Sequence, residues 1–150
     1  MTDLSLKHRL GGAMAKEFEN DLLQDGTPFE KVQAQVKRSK DRLATAPVVI
    51  LLCLDTSEMD SYPDEKRRQA ERVMSIQSVA AAGLQLLLAA HAEGLGGVWV
   101  CSPLFVQETI DKTLDLPERW EPQGMFYLGY ADRNPAVRER KGVADISIFR

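Results

Sequence analysis

Few residues of this chain could do acid–base, nucleophilic or metal chemistry, and they are scattered. His8 and His91, with Cys53 and Cys101, are the whole imidazole and thiol inventory. They lie far apart in sequence, with no metal-type Cys/His spacing and no disulfide framework. Both cysteines sit in apolar runs and read as buried free thiols. His91 ends an apolar helical stretch, where a basic side chain suits the exposed carbonyls of a helix terminus better than it suits catalysis. There is no phosphate-loop lysine motif and no Gly-x-Ser-x-Gly elbow. Gly94-x-Gly96-Gly97 has the glycines of a dinucleotide loop but the wrong setting. Such a loop follows a strand and opens a helix, and here a helix precedes and a strand follows. Lys31, Lys37, Arg38, Lys40 and Arg42 could form an anion patch. Interleaved with Glu30 and Asp41, they read instead as a solvated helix face. Without an acid, base or nucleophile cluster, the natural enzymatic option is chemistry borrowed from a bound redox cofactor.

The elements that would position such a cofactor are legible. Residues 79–90 are apolar except for Gln85 and are built of strong helix formers. A segment apolar on nearly every side must be covered on nearly every side, so it reads as a buried central helix. The apolar run is shorter than the roughly 20 residues a bilayer span needs. The glycines after His91 end that helix, and at least one of Gly94 and Gly96 should take a positive φ. Residues 98–101 follow as a short buried strand, and Ser102-Pro103 then opens a helix running to Leu114.

Upstream, Leu6, Leu10, Met14, Phe18 and Leu22 recur every four residues and predict a helix over 3–23, weakened by Gly11-Gly12. Thr27-Pro28-Phe29-Glu30 fits a capping box for a second helix, which must stop before Pro47. Residues 47–54 read as a strand covered on both faces. Residues 55–64 form a polar connection, plain rather than a lid. Residues 116–122 form a turn and 124–130 a third strand. Residues 132–142 make a charged tail, and 143–150 are strand-like. The pattern argues for an α+β domain, a small central sheet flanked by helices around a buried core helix.

Bulk properties exclude several classes. The net charge of −3 gives no reason to expect nucleic acid or an anionic membrane as partner. Residues 1–10 lack the apolar core of a signal peptide, so a cytoplasmic protein is the default.

Several segments in order carry a family resemblance. Residues 78–82 and 86–99, from Ser78 to Trp99, resemble the core helix and following loop of the nitroreductase family of flavin enzymes. Leu116-Pro117-Glu118, Tyr127-Leu128-Gly129-Tyr130-Ala131 and Arg140-Lys141 extend the match. Residues 100–105 and 51–55 are more similar to one subgroup, the nitroreductase-like domain of enzymes that build the deazaflavin coenzyme. The resemblance implies a nitroreductase-like fold, a homodimer built on the central helix, and FMN at the interface between subunits. Trp99, Val100, Cys101 and Ser102 would present backbone to the flavin ring, where amides can stabilise the anion of its reduced form. Arg140 and Lys141 would hold the FMN phosphate. No side chain is implied as a catalytic acid or base.

Family members open with an Arg-Arg-Ser-like segment on a first helix, followed by a strand. Residues 1–12 offer Lys7, His8 and Arg9 but not that motif. The expectation is a single domain over residues 1–150 lacking the family's first helix and strand. Its function would be an FMN-dependent oxidoreductase passing hydride from a reduced nicotinamide, or a deazaflavin, to a small-molecule substrate. The alternative is a non-catalytic dimeric binding module that keeps the fold without flavin.

Overall fold

Asp3 starts the first helix by accepting the Leu6 amide on its side chain at 2.6 Å, which satisfies one of the unpaired donors of a first turn. The computed structural model describes residues 1–132 and 136–150. Helix α1 spans Leu4–Gln24 and α2 spans Phe29–Thr45. Strand β1 spans Val48–Asp55, and a 3-10 turn covers Thr56–Glu58. Helix α3 spans Glu65–Ala92, β2 spans Gly96–Val100, and a second 3-10 turn covers Ser102–Phe105. Helix α4 spans Gln107–Leu114, β3 spans Trp120–Gly129, and α5 is a single turn at Val143–Ile146.

The sheet has three strands in the order β1-β3-β2, all antiparallel. Val48 pairs with Leu128 at one end of β1 and Asp55 with Trp120 at the other, with a bulge at Leu52/Cys53. Pro122 sits beside that bulge, where the ladder can tolerate a residue without an amide proton. Side chains alternate across a strand, so consecutive residues of β3 serve different faces. Met125 packs with Leu10, Leu43, Val49 and Ile110 beneath α1, α2 and α4. Phe126 points the other way, toward Gly83 of α3. The result is the expected α+β architecture, with the sheet between two helical layers.

Several local expectations change. Gly11-Gly12 does not interrupt α1. Gly11 is buried against α2, where a Cβ would lie 3.2 Å from Leu43 Cδ2, so it allows close helix–helix approach. The Thr27 capping box does not form. Pro28 is the cap residue of α2 and no side chain caps it, while the Pro28 carbonyl receives the Lys31 and Val32 amides at 2.8 and 3.1 Å. Lys7 is buried and donates to the Ala46 carbonyl at 2.7 Å, satisfying the end of α2 with a cation. Strand β3 begins at Trp120, inside what reads as a turn. The connection after β1 opens with the 3-10 turn at Thr56–Glu58. The Asp55 carboxylate accepts from the Ser57 amide and hydroxyl and from the Trp120 indole, bonds that hold its pKa below the usual carboxylate value.

The largest difference concerns the central helix. It is 28 residues long, and only Gly83 is buried within its own chain. Leu84 and Leu88 are 55% and 61% exposed, and Val73, Met74 and Ile76 are also exposed. By length and composition this helix could cross a membrane. It nevertheless lies on the sheet through Gly83 and Leu87, leaving its other side uncovered. The segment 143–150 also differs. It forms α5 and an irregular end rather than a strand, with Ile146, Ile148 and Phe149 exposed. The expected charged tail includes residues 133–135, which lie outside the described residues.

Candidate functional site

The connection leaving β2 is placed by a glycine turn. Glu93 ends α3, and Gly94 takes φ +78°. The Gly94 amide donates to the His91 carbonyl at 3.0 Å and the Leu95 amide to Ala90 at 2.9 Å. This left-handed closure satisfies terminal carbonyls and turns the chain into β2. The expected positive φ therefore falls on Gly94. Val100 pairs with Met125 at the end of β2, and Cys101 and Ser102 lie just beyond the sheet. The 3-10 turn that begins at Ser102 is anchored by buried Pro103 and by the Leu104 amide donating to the Cys101 carbonyl at 3.1 Å. Among the described residues, the turn's own bonds use the amides of Leu104 and Val106, not those of Cys101 and Ser102.

Cys101 and Ser102 open onto a cleft of 570 Å³. Its opposite wall is the face of α1 carrying Met14, Phe18, Asp21 and Leu22, a spacing of three and four residues that shares one helix side. Phe105 and Val106 complete the apolar part, and Ser39 enters from α2. A second hollow of 190 Å³ adjoins it, lined by Phe18, Gln35, Arg38, Ser39, Arg42, Val100 and Tyr127. Phe18 and Ser39 line both. The two form one groove between the α1–α2 hairpin and the end of β2. Large apolar walls with a few polar groups suit a flat aromatic ligand.

The structure brings together three of the six residues expected from the resemblance. Cys101 and Ser102 line the cleft and Val100 the adjoining hollow. Trp99 faces the other side of the sheet. Its ring meets Phe126 edge-on at 5.0 Å between centroids, and its Nε1 is buried without a partner. A Cβ at Gly124 would lie 2.5 Å from that nitrogen, so Trp99 is packed into the sheet–α3 layer. Arg140 and Lys141 are exposed in the tail and line neither hollow. Phe18, Asp21 and Ser39 had no sequence signal beyond helix amphipathicity, while Phe105 lies in the segment that carries the family resemblance. Among the described residues no group of three His, Cys, Asp or Glu is arranged to hold a metal.

The cysteines depart from the expected buried pair. Cys53 is half-buried, and desolvation pushes its thiol up to about 11. Cys101 is exposed on the cleft. Thiolate is the reactive form, so at pH 8 iodoacetamide should modify Cys101 well ahead of Cys53. Peptide mass mapping over a time course checks this, and equal rates would contradict the placement of the β2 loop.

The nitroreductase family model matches residues 3–130. A "Putative NADH dehydrogenase/NAD(P)H nitroreductase" of Methanothermobacter thermautotrophicus is 34% identical over 96 residues, which is 63% of this chain and 45% of that protein. The match thus spans under half the length of that relative. Among solved structures, a BluB-like flavoprotein of Clostridium difficile 630 has a TM-score of 0.76 at 21% identity, covering 99% of this chain and 76% of the other. An NADPH:FMN oxidoreductase of Vibrio harveyi, solved with NAD+, has a TM-score of 0.65 at 18% identity, covering 98% and 55%. The structures share the fold, and the family match extends over most of the sequence: the chain belongs to the nitroreductase family.

Proposed function

We propose that this chain is an FMN-dependent oxidoreductase that binds the flavin ring in the cleft beside Cys101 and Ser102. The observation that carries this reading is the cleft itself, where Met14, Phe18 and Leu22 of α1, with Asp21 and Gln24 at its polar edge, face Cys101 and Ser102 at the end of β2. The donor set fits the group, with amides at Cys101 and Ser102 and hydroxyls at Ser39 and Ser102. Bound there, FMN would supply a ring that takes up and releases hydride. The chain's own part is to hold and shield. Phe18, Leu22, Phe105 and Val106 exclude water, and amides at the loop favour negative charge on a reduced ring. A reduced nicotinamide is the proposed donor, and a small molecule of the deazaflavin class the proposed acceptor. Family membership and the NAD(P)H-linked relatives support the redox reading and the nicotinamide donor; the acceptor class rests on the sequence resemblance alone. We place the whole chain, residues 1–150, in one domain, cytoplasmic, and active as a homodimer joined through the open face of α3.

Arg140 and Lys141 are assigned to the FMN phosphate. Each such charge-assisted contact contributes about 1.5–3 kcal/mol. Arg140→Ala with Lys141→Ala should therefore weaken FMN binding by at least about tenfold while leaving riboflavin binding unchanged. Flavin fluorescence titration of both ligands checks this, and equal losses for the two ligands would remove the phosphate role. The exposure of this pair away from the cleft favours the second reading, a dimeric module without flavin. Failure of the chain to bind FMN at all would favour that module.

A further inference from the structure

The small hollow next to the cleft has a lining that neither the family resemblance nor the flavin assignment uses. All its polar groups, Gln35, Arg38, Ser39, Arg42 and Tyr127, can donate hydrogen bonds, and no carboxylate lines it. Among the described residues none of these side chains is engaged in a hydrogen bond or ion pair. Asp41, next in sequence on α2, is taken by Lys37 at 2.5 Å, and the acids Asp21 and Asp25 line the adjoining cleft rather than the hollow. Arg38 and Arg42 stand four residues apart on α2, so their guanidinium groups serve the same side of the helix. Tyr127 is half-buried, and desolvation raises its pKa against the opposing charge of Arg42, which keeps the phenol protonated as a donor. Val100 and Phe18 form the apolar side. Planar guanidinium forks match the geometry of carboxylate and phosphate oxygens.

We propose that this hollow binds an oxyanion, phosphate or carboxylate, carried by the molecule that reacts in the adjoining cleft. The link to a reacting molecule rests on the redox reading of that cleft; the oxyanion site does not. Because Ser39 and Phe18 border both spaces, a ligand anchored at Arg38 and Arg42 extends directly toward Cys101. The hollow would thus select anionic substrates over neutral ones of the same shape.

The test titrates inorganic phosphate, and separately acetate, into the full chain at an ionic strength held constant with chloride. Amide resonances of residues 35–42 and of Tyr127 are followed. Saturable shifts confined to those amides are expected, and the stronger of the two anions identifies the chemistry. Arg38→Gln and Arg42→Gln should each weaken binding about tenfold, the loss of one charged hydrogen-bonding partner. If Arg42→Gln does not fold, Arg42→Lys keeps the charge without the fork and should still weaken binding measurably. Shifts matched by chloride alone, or unchanged in both variants, would overturn the site. FMN and riboflavin are titrated in parallel. A loss of FMN affinity but not riboflavin affinity in the Arg variants would give the hollow to the flavin phosphate and overturn the assignment to a second molecule. Phosphate binding without any flavin binding would support the oxyanion site while ending the redox reading.

Discussion

Gly83→Val is expected to destabilise the protein by about 2–3 kcal/mol, in the range for overpacking a close-packed core. A melting temperature lower by about 5–10 °C should follow for a chain of this size. Gly83 is the single point at which α3 is buried. A Cβ there would lie 2.9 Å from Phe126 Cζ and 3.0 Å from both Leu52 Cδ2 and Trp99 Cη2. Those partners come from all three strands, so no single rotamer change relieves the crowding. The opposing effect is the poor helix propensity of glycine, worth about 1 kcal/mol against alanine. Gly83→Ala balances that gain against three tight contacts, but valine adds two further methyl groups and the crowding wins. Gly12 is the control. It lies in α1 with nothing within 4 Å of a Cβ, so Gly12→Ala should gain up to about 1 kcal/mol. Thermal unfolding followed by circular dichroism measures all three variants. A Gly83→Val protein that melts with the wild type would mean α3 does not rest on the sheet at this glycine.

The same two glycines show what the sequence made readable and what it did not. Helix α1 was visible because its apolar residues return every four positions, and that periodicity outweighed two adjacent glycines. Strand β1 was visible as a continuous run, and the turn at Gly94 because a helix had to become a strand within a few residues. Thr27 failed as a cap because a local pattern cannot say where the chain enters α2. The direction of the Trp99 side chain was not legible for a related reason: Val100 lines the groove while the Trp99 ring packs on the other side of the sheet, and the side a strand residue faces depends on register, which one position reverses. The groove's other wall escaped notice because Phe18 and Ser39 meet only after α1 and α2 pair. Arg42 was visible as part of a basic run. Its place beside Tyr127 follows from the antiparallel pairing of β3, which no composition count contains. For α3, hydropathy showed that the helix needs cover but not that its own chain leaves one side open.

That open side leads to the second large effect. Leu84→Glu combined with Leu88→Glu is expected to convert a dimer into a folded monomer. Both leucines are more than half exposed in the single chain, so charge at these positions costs the subunit's own core little beside what it removes from a partner interface. Glutamate is nearly as good a helix former as leucine, so α3 should persist. In a symmetric dimer each substitution acts twice. Full burial of a leucine is worth about 1.5–3 kcal/mol, and somewhat more than half of each side chain is left for a partner to cover, so losing four such side chains should raise the dimer dissociation constant by at least about two orders of magnitude. Ala81 and Ala82, exposed on the same helix, would let two copies of α3 approach closely. Sedimentation velocity at micromolar concentration should find the wild type as a dimer and the double variant as a monomer with unchanged helical content. A well-folded wild-type monomer would remove the proposed interface. A variant that stays dimeric would place the interface elsewhere. If the flavin site draws on both subunits, as the family resemblance implies, the monomeric variant should also lose FMN although neither leucine lines the cleft.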